Sequence, residues 1–293
     1  MNLALTVLNI TAPVFLLAAV GFAWVRLGFE YRVEFVTRLA MTLSVPCLIF
    51  VALMKTQVAP SALAGLSIAS FVAYFAVGIL SFLVVFIFKL DRQTYLAPLI
   101  FGNTGNLGLP LALFAFGQTG LEYAVVVFAV MAILSFTIGI WIVAGAGSFS
   151  RVLKEPLVAA TLLGALFLWQ GWETPVFLTN TLELIGQMAI PIMLITLGVA
   201  VARLEIKRVG LAVALAIIKV IVCVGAAYFA TVWFMLEPVA AAVLIVQVAT
   251  PVAVTSYMLA EKYGADAQPV AGLVVVSTLL SVITLPLILS FVI

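Results

Sequence analysis

Histidine is absent, and only 8% of the 293 residues are charged. Soluble domains of this length carry about a quarter of their residues as Asp, Glu, Lys or Arg, so a water-soluble globule is excluded. Without histidine there is no side chain that titrates near neutrality unaided and no imidazole for a metal site. No nucleophile stands beside a base and no metal-ligand cluster is visible, so neither an enzyme nor a cofactor is expected. The two cysteines, Cys47 and Cys223, fall inside apolar runs and read as small buried hydrophobes, not a disulfide. No long polar segment leaves room for a separate soluble domain. The net charge of +2 comes from basic residues in short connectors, so no nucleic-acid partner is implied. No basic residue precedes the first apolar stretch, which therefore reads as a retained span and not a signal peptide.

What is there is hydrocarbon. Hydrophobic residues make up 66% of the chain, and the mean hydropathy is +1.37. Apolar runs of about 18 or more residues recur along the sequence, the length a helix needs to cross a bilayer. The expected class is an all-α integral membrane protein surrounded by lipid. Charged connectors divide it into ten spans: 7–28, 36–54, 61–88, 95–117, 121–146, 156–171, 181–202, 208–235, 238–262 and 268–292. One set of alternate connectors holds Arg26, Arg32, Arg38, Lys89, Arg92, Arg151, Lys154, Arg203, Lys207, Arg208 and Lys262. The opposite set holds only Lys55, and Lys219 lies inside a span. Basic connectors stay in the cytoplasm, so a multi-pass protein of the cell membrane with both termini outside is expected.

The sequence also repeats itself. LAMTLSVPCLIF around Pro46 is matched by LIGQMAIPIMLIT around Pro191, and Pro110 is matched by Pro251. FKLDR at 88–92 is matched by FMLEP at 234–238. The offsets agree within five residues, which predicts two five-helix units, 1–147 and 148–293. An odd number of spans per unit inverts the second copy, and inverted repeats place a binding site near the midplane where they meet.

Residues 102–110 read GNTGNLGLP. Gly102, Gly105, Gly108 and Pro110 disfavour a regular helix, and the amides of Asn103 and Asn106 would be costly facing lipid. Counting from Thr94 puts Asn103 roughly 14 Å into a core about 30 Å thick. Interrupted backbone at that depth is tolerated where it lines a cavity or is buried in protein. In the second unit, Gln247, Thr250, Thr255 and Ser256 surround Pro251. Two opposed broken helices would cross there, and their N-termini would present partial positive charge to an anion. The expected anion-binding set is Asn103, Thr104, Asn106, Gln247, Thr250, Thr255 and Ser256. A simpler reading of the three glycines is close packing between helices.

GNTGNLGLP, together with ATPVAVTSYMLAEKYG at 249–264, resembles the auxin efflux carrier family, which includes plant carriers and bacterial organic-acid carriers. PVFLLAAVGFAWVRLG at 13–28 followed by LSVPCLIF at 43–50 is similar to the start of the same family. The resemblance implies ten helices in two inverted repeats with broken helices 4 and 9 crossing at Pro110 and Pro251, as in sodium–proton antiporters and bile-acid symporters. It implies a scaffold of helices 1, 2, 6 and 7 and a moving transport domain of helices 3–5 and 8–10, with Asn103 holding the substrate carboxylate. A homodimer through the scaffold is compatible with it, and membrane lipid is the surrounding partner. Only residues 147–156 separate the halves, where the plant carriers have a long hydrophilic loop. That points to a bacterial member and to small carboxylates such as malonate instead of auxin.

None of the eleven acidic residues is placed at the middle of a span. Glu122, Glu173, Glu183 and Glu237 fall toward the outer face, so a coupling site built on a midplane carboxylate is not expected. Lys219, roughly 16 Å in, is the one deep charge; it is either a charge-compensating group for the anion or a lysine that snorkels or sits neutral. The leading reading is an organic-anion carrier working by elevator-type alternating access. Sodium-coupled uptake through groups such as Asn106, Gln187 and Gln247 is the alternative within transport, and a membrane receptor for a carboxylate is the alternative outside it.

Overall fold

The computed structural model describes residues 3–144, 156–204 and 209–293. The described residues form twelve helical stretches and no strand: α1 Leu3–Arg26, α2 Val33–Lys55, α3 Pro60–Ile87, α4 Arg92–Ile100, α5 Thr104–Ala144, α6 Pro156–Gln170, α7 Val176–Gln187, α8 Ala189–Arg203, α9 Val209–Trp233, α10 Pro238–Val248, α11 Val254–Tyr263 and α12 Ala267–Val292. Seven stretches are long and apolar enough to cross a membrane: α1, α2, α3, α5, α7 with α8, α9 and α12. Large apolar side chains such as Phe75, Phe86, Trp233 and Phe291 stand exposed on the outside, as lipid-facing residues must.

Local chemistry sets the ends. Proline opens α3 and α10, where its missing N–H has no helical acceptor to lose. The Asp91 carboxylate accepts from the Thr94 N–H at 2.8 Å and starts α4. Within α5 the backbone breaks at Gly117, whose φ of 64° and ψ of −154° lie outside the range of a residue with a side chain. Two helical stretches meet there with a change of direction.

Packing follows from small residues. α1 lies along α8 with the two backbones nearly touching. A Cβ on Gly198 would sit 1.7 Å from the Ala18 carbonyl oxygen, and one on Gly21 would sit 2.0 Å from that of Ile195. Apolar helices gain nothing by hiding from lipid, so their association rests on such close contact. α2 packs on α6 and α7, while α3 packs on α9, and α9 in turn on α10 and α12. At the end of α1, the Tyr31 hydroxyl bonds Thr196 Oγ1 at 2.7 Å and Arg203 donates to the Tyr31 carbonyl at 2.6 Å. Burial pushes the Tyr31 phenol above its ordinary pKa, so it keeps its proton. Thr56, just past α2, donates from its hydroxyl to the Glu122 carboxylate on α5 at 2.6 Å while accepting the Val58 N–H. Glu122 is only 6% exposed, a burial that its place near a span end does not reveal.

Candidate functional site

Two helices are interrupted side by side. α4 stops at Ile100 and α5 starts at Thr104, while α10 stops at Val248 and α11 starts at Val254. The extended segments between them run antiparallel, with Gly102 bridged to Val252. The Asn103 N–H donates to the Pro251 carbonyl at 2.7 Å, and the Ala253 N–H reaches the Phe101 carbonyl at 3.5 Å. The Val252 N–H donates to Ser277 Oγ of α12 at 3.0 Å. These bonds satisfy backbone groups that would otherwise be stranded in an apolar interior.

Gly102 allows the crossing. A Cβ there would lie 2.3 Å from Thr250 Oγ1 and 3.0 Å from the Thr250 carbonyl oxygen. Gly108 has a similar role: its missing Cβ leaves room for the Gln247 amide, whose Oε1 would be 2.1 Å away. Gly105 instead packs against the Phe128 ring further along α5, which is the close-packing reading of that glycine.

Pro110 corrects an expectation. The crossing is not at Pro110, which sits inside the helical run beyond a π-type turn at Thr104–Gly108. The interruption comes earlier, at 101–103, opposite 249–253. The close approach of two backbones requires Gly102, whereas Pro110 stands at the start of the regular α-helical run that begins at Leu109 after the π-type turn, where a proline disturbs little.

The polar side chains divide by what they already hold. Asn103 is 5% exposed, and Thr104 and Gln247 are fully buried. Asn103 Nδ2, Thr104 Oγ1 and both polar atoms of the Gln247 amide are buried with no hydrogen-bond partner. Leaving such atoms unpaired costs about 1–3 kcal/mol each, so four of them ask for a ligand or for water. Thr250 is different: its hydroxyl donates to the Gln247 carbonyl at 2.7 Å and closes the end of its own helix. Ser256 is buried in the first turn of α11, and Thr255 and Asn106 are partly exposed. The first-turn N–H groups of α5 and α11 have no acceptor within their own helices and add partial positive charge at the crossing. Donor amides, hydroxyls and helix N-termini together suit an anion with several acceptor oxygens.

Lys219 stands one step away. It is 3% exposed, so it does not snorkel, and Nζ donates to the Leu99 carbonyl at 2.9 Å. Two contributors were invisible in the sequence. Ser277 is one of several hydroxyls in an apolar helix, with nothing to single it out. Leu99 acts through its carbonyl, which no side-chain pattern reports. A cavity of about 480 Å³ opens between α2, α5, α7 and α8 and is lined by Gln118, Glu183, Gln187 and Pro191 among others.

A sequence model described as "Membrane transport protein" matches residues 6–152 and 146–289. The chain is 26% identical over 302 residues to an uncharacterized transporter of Methanocaldococcus jannaschii, covering 96% of this chain and 97% of that protein. It is 23% identical over 206 residues to a Rhizobium meliloti protein named "Putative malonate transporter", covering 63% of this chain and 62% of that one.

Proposed function

The chain belongs to the membrane transport protein family, that of the auxin efflux carriers, and on that premise we propose that it carries a small organic anion across the membrane by alternating access. The substrate class is a carboxylate such as malonate, in line with the name of the Rhizobium meliloti relative. The observation that carries this reading is that four polar atoms on Asn103, Thr104 and Gln247, residues at or beside the interruptions of two helices, are buried without partners. A receptor would not need paired helix breaks, which supports transport over sensing.

The full reading has ten crossings in two inverted repeats, 1–147 and 148–293. Several features support it. The break at Gly117 separates a stretch that can complete a crossing together with α4 from a second stretch long enough to cross by itself. The interruptions at 101–103 and 249–253 lie within several residues of corresponding points of the two halves. So do the π-type turn Ala40–Ser44 before Pro46 and the break at Met188 before Pro191. The moving body would comprise α3–α5 and α9–α12, and the scaffold α1, α2 and α6–α8. The dense seam between α1 and α8 suits a fixed scaffold. The Thr56–Glu122 bond spans the proposed boundary and must break when the two bodies slide. A homodimer through the scaffold remains part of the proposal.

Function is tested in proteoliposomes loaded with the purified chain. Counterflow of labelled malonate, and of succinate, acetate and indole acetate in parallel, is expected to exceed that of protein-free vesicles for at least one carboxylate. Absence of flux for all four sinks the carrier reading. Topology is tested separately. Single cysteines placed at positions 2 and 293 are expected to react with an impermeant maleimide in intact cells. Reaction of one and protection of the other rules out the inverted arrangement, which needs both termini on one side, and protection of both overturns the outward placement of the termini.

A further inference from the structure

The C-terminal end of α4 is an unusual place in this protein. Its final carbonyls have lost their helical donors because the chain turns into the crossing at Phe101. One is recovered locally, since the Phe101 N–H donates to the Ala97 carbonyl at 2.9 Å. Leu99 is served from elsewhere: its carbonyl accepts Lys219 Nζ of α9, 120 residues away, at 2.9 Å. Among the described residues no acidic side chain lies within ion-pairing distance of that ammonium. Its other contact is weak, Cys223 Sγ at 3.9 Å one turn further along α9. A charged lysine buried to this degree without a carboxylate is costly, and the group placed to offset that cost is the negative end of the α4 dipole at the Leu99 carbonyl.

Among the described residues no lysine or arginine bonds the opposite helix end. The Gln247 carbonyl at the end of α10 accepts the Thr250 hydroxyl and N–H instead. In ion-coupled carriers built on broken helices, half-helix C-termini and unwound carbonyls are where the coupling cation is coordinated. Here one such end is filled by a side chain of the protein.

We infer that Lys219 is a built-in cation: its ammonium holds the carbonyl end of α4 in place of a metal ion, fixing the Phe101–Asn103 segment so that anion binding requires no sodium. Lys219 is thus a positioning residue, acting through the Leu99 carbonyl four residues before Asn103. This rests on reading the crossing as the anion site, but the cation role is separable from it.

The test uses the purified full chain, melted in choline, sodium or methylammonium chloride at equal ionic strength. Wild type is expected to melt at the same temperature in all three. Lys219→Ala, which leaves space for a small cation at the Leu99 carbonyl, is expected to melt lower in choline and to be raised saturably by several degrees in methylammonium or sodium. Lys219→Met, which fills the space without charge, is expected to show no such rescue, and Lys219→Arg is expected to behave as wild type does. Saturable stabilisation of wild type by sodium, or indifference of Lys219→Ala to both small cations, overturns the inference. Should Lys219→Ala fail to accumulate, Lys219→Arg and Lys219→Met decide. Equal melting of these two in choline overturns the inference, and a lower melt for Met alone supports it. Malonate is then added to wild type in choline and in sodium. Equal shifts support the inference and a shift seen only in sodium overturns it. No shift in either salt counts against malonate as the substrate, while the cation arms still decide the role of Lys219.

Discussion

Asn103→Ala is expected to fold like wild type and to bind the transported carboxylate roughly ten- to a hundredfold more weakly. The backbone of Asn103 holds the crossing, through its N–H to the Pro251 carbonyl at 2.7 Å, and alanine keeps that bond. The side chain contributes nothing visible to stability, because Nδ2 is buried without a partner. Removing it relieves an unpaired donor in the unliganded protein and deletes a hydrogen bond to a charged ligand, worth about 1.5–3 kcal/mol. Stability and binding should therefore move in opposite directions, or stability should not move at all. Melting curves with and without the best carboxylate from the flux assay measure both. A variant that folds and binds as tightly as wild type places the anion elsewhere, with Gln247 and Thr104 next to be tested.

Gly198→Val is expected to be the most damaging single substitution outside the crossing. The added Cβ would lie 1.7 Å from the Ala18 carbonyl oxygen and 2.8 Å from the Phe22 nitrogen, and both are backbone atoms that no rotamer change can move. α1 and α8 would have to part along their seam, and in lipid there is no hydrophobic gain to offset the lost contact. Overpacking of this kind costs at least about 1–3 kcal/mol, and here the upper end is expected because the obstacle is main chain. Gly65→Ala, in the second turn of α3 with nothing within 4 Å of the added methyl, is the control and should be neutral or slightly stabilising. Detergent-extracted yield and melting temperature of the pair give the comparison. Equal behaviour of the two variants means that the α1–α8 seam does not stabilise the protein.

Much of this was legible because lipid imposes simple rules. Runs of apolar residues separated by short charged connectors can only be buried as helices. Asn103, Thr104 and Gln247 announced themselves as polar groups where hydrocarbon should be. Gly102 and Pro251 marked a backbone that could not continue as a helix. Pro110 misled, because proline within a first helical turn and proline at a true break look alike in sequence. The burial of Glu122 was not legible at all: a place near a connector says nothing of exposure, and the partner that accompanies its burial is Thr56, 66 residues away.

The sequence by itself determined the solvent, the helical class, the membership in a transporter family and the polar residues that the membrane interior could not accommodate for nothing. The tertiary structure decided which of those residues remain unpartnered. Thr250 and Asn103 look equally suited to a ligand in the sequence, yet one hydroxyl closes its own helix and the other residue's amide is left unsatisfied. Lys219 could have faced lipid, a headgroup or an anion; its placement beside the Leu99 carbonyl fixed it at the end of a broken helix. The physical reason is the same in each case. Hydrophobicity is a property of a residue and is written along the chain, whereas a satisfied hydrogen bond is a property of a pair and exists only once the helices have met.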